Sequence, residues 1–581
     1  MYKHLKLIVL MILAFLMLSN CQKLMDKPLS LDGNWKFIYD ANDEGALKRY
    51  HLPELDRSDW IDQAVPGFWP DGSYDGFGWY SRTFQIGPMA AGYKLAVVFE
   101  SVDDNAVVWL DGRRVGEHIG YGQKFFIDIS NRVYIDSLHT LTVRIDDSGG
   151  PGGINQSVAL VPFIFEEDLV RTPASYEIMP ASAEWIQDAT LYEIFVRQHT
   201  KEGTFKALEA DLPRIKALGI DILWLIPIHP IGEIHRKGSK GSPYSVKDYY
   251  GISPDLGNLD DFKSLVQTAH SLDMKLILDF VMNHSAWDNQ LIVDHKDWYS
   301  QDADGNVVSP NDDWSDVADF NYDVPELQSY MKTMLRWWVQ ETDIDGFRFD
   351  VAELVPNTFW SEAKAECQKI KSDIFFLAEG AKPDLHLSGH DMTYSWNIWE
   401  VLMEITSNNA LVYEIKKSID NEKFMYPKNS LRMRFTENHD KERSRHNFND
   451  SNLNLTAWAL AAMLPGNPLI YAGQERGDAH KPSLFEKDIV IWDKEPQLEN
   501  EMAKILQLRR DVIHEEVEIF LEDNTKEILG LKRGEQIWMF NFSNNAFSFK
   551  AKGYNKILGG GFEASDDETL TLPANQFGVF K

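Results

Sequence analysis

The chain has 581 residues, and its 58 lysines and arginines against 89 aspartates and glutamates give a formal net charge of -31 at neutral pH. A surface this acidic repels phosphate backbones, so the composition argues against a nucleic-acid partner. Hydrophobic residues at 44% and charged residues at 25% exclude a disordered chain, and the length predicts about two to four domains.

The first twenty residues have the pattern of an export signal. Two lysines precede an uncharged apolar run over residues 7–18, which is shorter than the roughly 20 residues that a membrane-spanning helix needs. The run leads into Leu-Ser-Asn-Cys, ending at Cys21, which resembles the cleavage box of bacterial lipoproteins. By that resemblance residues 1–20 are removed and an acylated Cys21 anchors the protein to a membrane. Gln22 favours the outer membrane, on its periplasmic or outer face; an ordinary cleaved signal is the alternative.

Residues 21–170 are predicted to form a β-sandwich. Short runs of β type, such as 94–100 and 106–110, recur there and are separated by turn residues, including Asp111-Gly112. No helical period of useful length occurs in this stretch, which favours two packed antiparallel sheets. A linker that contains proline and serine follows at about 172–182.

Residues 183–511 are predicted to form a (β/α)8 barrel of the TIM type. Short apolar runs alternate there with helical segments, which is typical of a parallel sheet with crossover helices. The predicted strands are 191–196, 222–228, 275–281, 346–351, 374–378, 392–396, 432–436 and 469–472. The clearest predicted helices are 205–218, 260–272, 326–340 and 455–463.

Two further segments complete the predicted organisation. A polar insertion without a predicted helix, at about 284–325, forms a loop domain within the barrel, and a loop this long in a compact domain is usually functional. Strand-like runs return in residues 512–581 and predict a small C-terminal β-sandwich domain. The expected fold class is therefore multidomain α/β, with the barrel flanked by two β domains.

Acidic side chains recur at the carboxyl ends of the predicted barrel strands. Asp350 ends the fourth strand, Glu379 follows the fifth, and Asp440 follows the seventh. The active site of such a barrel lies at these strand ends, so we expect the three carboxylates to converge over the barrel mouth. A single aspartate at a strand end commonly only caps the next helix, whereas several in register indicate a site.

Converging carboxylates favour acid/base and nucleophilic chemistry. They raise one another's pKa, so one can stay protonated while its neighbour stays ionised. Arg348 lies two residues before Asp350, on the same side of the strand, and would keep that aspartate anionic. Two such carboxyl groups facing an anomeric carbon are the catalytic groups of glycoside hydrolysis. A two-metal site is the competing use, disfavoured because Arg348 stands where a cation would be repelled.

These segments, in this order, resemble the α-amylase family, glycoside hydrolase family thirteen, over roughly residues 185–581. The resemblance implies a retaining α-glucan hydrolase that cleaves α-1,4-glucosidic bonds of starch-like polymers or maltooligosaccharides by double displacement. It implies that Asp350 is the nucleophile, that Glu379 is the general acid/base, and that Asp440 stabilises the transition state.

The same resemblance implies four substrate-binding residues. Arg348 would orient the nucleophile, and His284 and His439 would bind hydroxyls of the sugar ring that is cleaved. Tyr244, in the run Tyr-Ser-Val-Lys-Asp-Tyr-Tyr, would stack on that ring.

The sequence departs from the family pattern shortly after the nucleophile. The family often has Lys-His three and four residues further on, where this chain has Glu353 and Leu354. The lysine usually contacts sugar on the leaving-group side, and the histidine's backbone often helps to hold a structural calcium ion. A calcium ion here would use Asn283 and Asp319, whose oxygens are of the type that calcium prefers. The chemistry itself requires no cofactor.

The predicted N-terminal sandwich has a resemblance of its own, to the sugar-binding jelly-roll domain of family-two glycosidases. The resemblance rests on Leu-Asp-Gly-Asn-Trp at 31–35, Gly-Trp-Tyr at 78–80, parts of 104–112, and Gly-Gly-Ile at 152–154. It implies a scaffold or a glycan-contacting module.

Other activities stay open from sequence. Cyclomaltodextrinases, neopullulanase-like hydrolases and α-glucan transglycosylases share the same three carboxylates and differ in the loops around the substrate. A non-catalytic glycan-binding lipoprotein is the remote alternative, because such proteins usually lose a catalytic carboxylate and none is lost here. The expected partners are an α-glucan oligo- or polysaccharide and, through the lipid, a membrane.

Overall fold

The computed structural model describes residues 27–71, 74–88, 93–120, 122, 124–147, 149, 152–311, 313–407, 410–550, 555–559, 563–564 and 569–581. The predicted signal segment 1–20 and the predicted acylation site Cys21 lie outside the described residues. The chain divides into two compact units, with the boundary between Arg171 and Thr172. Among the described helices, none is long and apolar enough to cross a bilayer.

The first unit consists mainly of two antiparallel sheets. Six strands form the larger sheet, in the spatial order Ile61–Val65, Gly33–Tyr39, Gly76–Gln85, Leu138–Asp147, Asn105–Leu110 and Arg113–His118. Four strands form the smaller sheet, in the order Leu29–Ser30, Val158–Phe163, Lys94–Phe99 and Phe125–Asp128. The remaining described elements are a ladder of Gly67–Phe68 with Gly153–Ile154 and the short helix Glu167–Val170.

Apolar side chains from both sheets form the core of this unit. Trp35 and Phe37 of the larger sheet belong to one buried cluster with Val97 and Leu160 of the smaller sheet. Along Asn105–Leu110 every second residue is buried, as expected for a strand with one face against a core. The two-sheet architecture predicted from these patterns is confirmed.

The second unit contains a closed barrel of parallel strands. In order around the barrel they are Leu191–Ile194, Ile222–Leu225, Lys275–Val281, Gly346–Asp350, Phe375–Ala378, Met392–Tyr394, Leu431–Arg434 and Asn467–Tyr471. Spatial order follows chain order, so each neighbour is joined by a crossover, and the predicted TIM barrel is confirmed. Some predicted strands are too long; the first ends at Ile194 because a short helix begins at Val196.

Helices surround this barrel. The described α-helices of the second unit are Glu184–Gln187, Val196–His199, Phe205–Leu218, Leu259–Ser271, Gln290–Asp294, Pro325–Thr342, Asn357–Gln368, Asp384–Leu387, Trp396–Thr406, Tyr413–Met425, Ser444–Phe448, Ser451–Met463 and Pro496–Arg510. Short 3-10 helices occupy Pro173–Tyr176, Lys296–Trp298, Ala352–Leu354 and Gln474–Arg476. Buried faces of the long helices pack on the outer strand residues in one large cluster.

The insertion after the third barrel strand differs from the prediction in one respect. It contains the helix Gln290–Asp294, where no helix was expected. The side chain of Asn289 accepts a hydrogen bond from the amide of Leu291, which caps a helix too short to show a period in the sequence. The antiparallel pair His284–Ala286 and Val317–Asp319 ties the insertion together.

Antiparallel strands follow the last barrel helix. Five form a sheet in the order Val517–Asp523, Ile528–Arg533, Gln536–Asn541, Phe577–Phe580 and Lys556–Gly559. Three more form a second sheet in the order Phe547–Lys550, Thr569–Leu572 and Glu563–Ala564.

Candidate active site

The fourth barrel strand, Gly346–Asp350, is buried at every residue. Alternation along the strand places Arg348 and Asp350 on one side and the two phenylalanines on the other, against the surrounding helices. A side chain at Gly346 would meet the carbonyl oxygen of Phe375 at 2.2 Å, so only glycine permits this approach of the fifth strand. The sequence Gly-Phe-Arg-Phe-Asp therefore directs two charged side chains into the barrel.

The guanidinium of Arg348 connects three carboxylates. Its Nη1 donates to Asp279 Oδ1 at 2.8 Å and to Asp350 Oδ1 at 3.1 Å. Its Nη2 lies 3.0 Å from Glu379 Oε2. The guanidinium also lies 5.3 Å from the ring centre of Trp224, within cation–π range. One buried cation thus forms ion pairs with both Asp350 and Glu379.

Glu379 directly follows the fifth strand and is held by its backbone and by its side chain. Its amide donates to the carbonyl of Phe349 at 3.0 Å, and its Oε2 accepts from the amide of Val351 at 2.7 Å. Val351 has a φ of 39°, a left-handed conformation that costs a branched residue about 1–3 kcal/mol. That strained turn after the fourth strand aims the Val351 amide at Glu379.

The pKa values of both carboxyl groups are raised. For Asp350, burial is the main cause, the charge of Glu379 adds to it, and Arg348 opposes both. For Glu379, burial again raises the pKa and Arg348 again lowers it. Protonation of either group would remove the repulsion on the other.

His439 joins a second set of polar groups at the same barrel mouth. Its Nδ1 donates to Glu193, a fully buried residue of the first strand. Its Nε2 lies 2.6 Å from the hydroxyl of Tyr244, which in turn donates to Asp279 at 3.0 Å. The same Nε2 lies 3.2 Å from Asp440 Oδ1. The rings of Tyr244 and His439 are stacked at 5.4 Å.

The two histidines of the site differ in charge. Burial by itself would lower the pKa of His439, but the negative charges of Asp440 and Glu193 outweigh it and raise that pKa to about 9. Burial lowers the pKa of His284 to about 3, and its Nε2 lies 3.9 Å from Asp350 Oδ2. At neutral pH the site therefore contains a cationic His439 and a neutral His284.

These groups surround an open pocket of about 360 Å³, which is a volume typical of small-molecule sites. Five residues predicted for the site line it, namely Tyr244, His284, Asp350, Glu379 and Asp440. The other two predicted residues of the barrel mouth, Arg348 and His439, lie behind this lining and contact it. The structure thus brings together all seven residues predicted for catalysis and substrate binding.

The family comparison identifies the same region. The family described as "Alpha amylase, catalytic domain" matches residues 183–516, more than half of the chain. The chain belongs to the alpha-amylase family. It is therefore a glycoside hydrolase by family, with the TIM barrel typical of alpha-amylases.

Individual relatives agree with this assignment. An alpha-amylase structure from Lactobacillus plantarum is 30% identical, has a TM-score of 0.62, and covers 68% of this chain and 100% of its own. Alpha-amylase MalA of Haloarcula japonica is 27% identical over 56% of this chain. An alpha-1,4-glucan:maltose-1-phosphate maltosyltransferase of Mycobacterium tuberculosis is 30% identical over 40% of it. The matched regions span 49% and 35% of the lengths of those two relatives.

Asn283 and Asp319, the residues predicted for calcium, contact each other at the start and end of the insertion. The Asn283 amide donates to Asp319 Oδ1 at 3.3 Å, and the Ser300 hydroxyl donates to Oδ2 at 2.6 Å. Protein donors thus satisfy both carboxylate oxygens, and these side chains alone do not supply the six to eight oxygens that calcium takes. Calcium at this position stays a prediction.

Glu353, at the position where the family often has lysine, contacts the loop that carries Glu379. Its Oε1 accepts hydrogen bonds from the amides of Ala381, at 2.6 Å, and Lys382, at 3.0 Å. Its side chain packs against Gly380, where a Cβ would lie 2.6 Å from Glu353 Cγ. The departure from the family pattern therefore has a structural use in this alpha-amylase family member.

Sequence reasoning missed several residues of the site, and three of them contact the predicted ones. Glu193 holds His439, Trp314 of the insertion lines the pocket and packs against His284, and Lys481 donates to the carbonyl of Asp440 at 2.6 Å. The signal for Glu193 was a carboxylate inside an otherwise apolar strand, Leu-Tyr-Glu-Ile. The insertion was predicted to be functional without pointing to Trp314 in particular, and nothing in the sequence pointed to Lys481.

Proposed function

We propose that this protein is a retaining α-glucan hydrolase that cleaves α-1,4-glucosidic bonds of starch-like polymers or maltooligosaccharides. The observation that supports this most is that one guanidinium, Arg348, contacts both Asp350 and Glu379 at the wall of a single pocket that Asp440 also lines. A nucleophile and an acid held on either side of one anomeric carbon are what a double displacement requires.

In the first step, Glu379 carries the proton of the pair and Asp350 is ionised. Glu379 donates its proton to the glycosidic oxygen while an Asp350 oxygen attacks the anomeric carbon. The bond from that carbon to the leaving oxygen breaks, and a covalent glycosyl ester forms on Asp350. Arg348 favours the ionised nucleophile because its aligned hydrogen bond goes to Asp350.

In the second step, the ionised Glu379 takes a proton from water as the water oxygen attacks the same carbon. The ester bond to Asp350 breaks, and the product is released with its original anomeric configuration. The nucleophile returns to its ionised state, and Glu379 is protonated again. The proton count of the pair is therefore the same before and after one turnover.

The remaining residues bind the sugar. Asp440 is 38% exposed at its side chain and is available to accept hydrogen bonds from sugar hydroxyls. Cationic His439 lies beside it and stabilises its charge, while neutral His284 can bind a hydroxyl near the nucleophile. Tyr244 offers an aromatic wall, whose hydroxyl is already bonded to Asp279 and His439.

Transglycosylation is the second candidate, and one relative supports it. The Mycobacterium tuberculosis protein that is 30% identical over part of this chain is named as a maltosyltransferase. The same glycosyl ester on Asp350 would then react with a sugar hydroxyl instead of water. Incubation of the protein with maltotriose and labelled glucose distinguishes hydrolysis from transglycosylation, because only transglycosylation places the label in longer products.

The test of the hydrolase is Asp350→Asn, assayed on amylose, pullulan and cyclodextrin with the exposed Asp297→Asn as matched control. The variant should lose at least about 1,000-fold in kcat while its thermal unfolding stays close to that of the unchanged protein. Proton NMR of the first products should show the α-anomer. Full activity of Asp350→Asn, or a first product of the β-configuration, would refute the mechanism.

We further propose that the protein is exported and lipid-anchored through Cys21, as the residues before that cysteine predict. The Leu-Ser-Asn-Cys motif that ends at Cys21 supports the lipid anchor, and Gln22 favours the outer membrane. Labelling of cells with a palmitate analogue should mark the protein, and Cys21→Ser should abolish the label and release the protein from membranes. Equal labelling of Cys21→Ser would contradict the anchor.

A further inference from the structure

Three aspartates converge at one end of the larger sheet of the first unit. Asp147 ends the strand Leu138–Asp147, and Asp103 and Asp104 directly precede the neighbouring strand Asn105–Leu110. Each offers one carboxylate oxygen, and these oxygens all lie within 4.8 Å of one another. Among the described residues of the chain, no other group of three or more His, Cys, Asp or Glu side chains meets in this way.

The backbone holds the three residues in place. Asp103 and Gly153 exchange two main-chain hydrogen bonds, of 2.9 and 3.2 Å. The amide of Asp104 donates to the carbonyl of Asp146 at 3.3 Å, across the ladder between the two strands. The proximity of the carboxylates therefore follows from sheet register rather than from flexible surface side chains.

Asp147 is the unusual member of the cluster. It is only 2% exposed, and within the part of the chain that the structure describes neither of its carboxylate oxygens has a hydrogen-bond partner. Arg144, on the same strand, forms its ion pair with Asp43 at 2.9 Å. A buried carboxylate without a partner costs several kcal/mol, and such groups are normally paired or bind a metal.

The surrounding charges make this burial less favourable still. Burial is the main cause that raises the pKa of Asp147 to about 7, and the negative charges of Asp104, Asp75 and Asp146 add to it. The amide of Gly149 acts in the opposite direction but falls short of a hydrogen bond. Four carboxylates thus act on one another at a site where a cation would relieve the repulsion.

We propose that Asp103, Asp104 and Asp147 bind a calcium ion. The donors are all oxygens and include no sulfur or imidazole, which is the ligand set of a hard cation. Two oxygens that each lie about 2.4 Å from one calcium ion can be as much as about 4.8 Å apart, so the observed spread fits a single ion. Backbone carbonyls and water would complete the coordination.

This ion would act as a structural link within the first unit. It would join the loop before one strand to the end of its neighbour, and it would neutralise the buried charge of Asp147. It is separate from the calcium position predicted at Asn283 and Asp319, because those residues belong to the second unit. An ion that binds the folded protein but not the unfolded chain raises the free energy of unfolding by mass action.

The test is calcium-dependent unfolding of the whole chain, by calorimetry in EDTA and in millimolar calcium chloride. Calcium should raise the unfolding temperature of the first unit by about 5 °C or more. Asp147→Asn should abolish this shift and, in EDTA, should unfold at or above the temperature of the unchanged protein, because the amide carries no buried charge. The exposed Asp59→Asn is the matched control and should keep the full shift.

Direct binding gives a second measurement. Titration calorimetry should show one calcium ion bound to the first unit, at least about tenfold more tightly than magnesium, which gives up its water reluctantly. Asp104→Asn should weaken that binding, and terbium should compete for it. The proposal is overturned if calcium leaves the unfolding temperature unchanged, if Asp147→Asn keeps the calcium shift, or if Asp147→Asn destabilises the protein equally in EDTA and in calcium.

Discussion

His439 carries a charge that its neighbours impose on it. Glu193 and Asp440 raise its pKa to about 9 against the effect of burial, while Arg348 opposes them. The hydroxyl of Tyr244 also contacts the His439 ring, and it donates a hydrogen bond to the carboxylate of Asp279. A cation fixed at this point is well placed to orient Asp440 for sugar hydroxyls.

The raised pKa of His439 predicts a pH-dependent stability. A histidine whose pKa is higher when folded stabilises the protein fully below its ordinary value of 6.5, and that contribution is lost as the pH rises toward 9. The free energy of unfolding should fall over this interval by at most about 3 kcal/mol. Urea denaturation at several pH values measures it.

His439→Gln should flatten that pH dependence, because glutamine does not titrate. His514→Gln is the matched control, since the side chain of His514 is 86% exposed and should leave the profile unchanged. An equal fall in stability between pH 6.5 and 9 in His439→Gln would show that other groups are responsible.

At the scale of elements, the turn after the fourth strand positions the acid on the fifth. The turn makes three contacts with the segment of the acid: the amide of Val351 donates to the Glu379 carboxylate, and the amide of Ala352 donates to the Glu379 carbonyl at 3.1 Å. The Glu353 carboxylate accepts from the amides of Ala381 and Lys382. The nucleophile and the acid therefore belong to segments that are bonded to each other. A shift of either segment would change the distance between the two reacting groups.

Glu353 is accordingly predicted to be a positioning residue. Glu353→Ala leaves the amides of Ala381 and Lys382 without their acceptor, so kcat should fall about ten- to hundredfold while KM changes little. Glu353→Gln keeps an oxygen in the same place and should restore most of the rate. Steady-state kinetics on maltooligosaccharides measure both; equal losses in the two variants, or a loss confined to KM, would contradict positioning.

At the scale of the whole molecule, much of the fold could be predicted because burial leaves periodic patterns. Alternating burial marked the sandwich strands, and uninterrupted apolar runs marked the barrel strands. The carboxylates of Asp350, Glu379 and Asp440 were predictable because strand ends of a parallel barrel meet at one face. Element ends were less certain, as at Ile194, because a buried strand and a buried helix turn have similar sequences.

The contacts that could not be predicted depend on spatial register. Lys481 lies far along the chain from Asp440, and no local sequence pattern predicts their contact. Asp103 and Asp147 look like ordinary turn residues in the sequence, and only the pairing of their strands brings them together. Glu193 could have been noticed as a charge within a buried strand, but its partner His439 could not have been identified without the barrel.

Covalent trapping tests the central mechanism most directly. A fluorinated α-glycosyl fluoride slows release of the glycosyl ester, so the protein should gain one sugar mass, and peptide mass spectrometry should locate it on Asp350. Asp350→Asn should show no adduct under the same conditions. An adduct on another residue, or complete turnover without any covalent species, would contradict nucleophilic attack by Asp350.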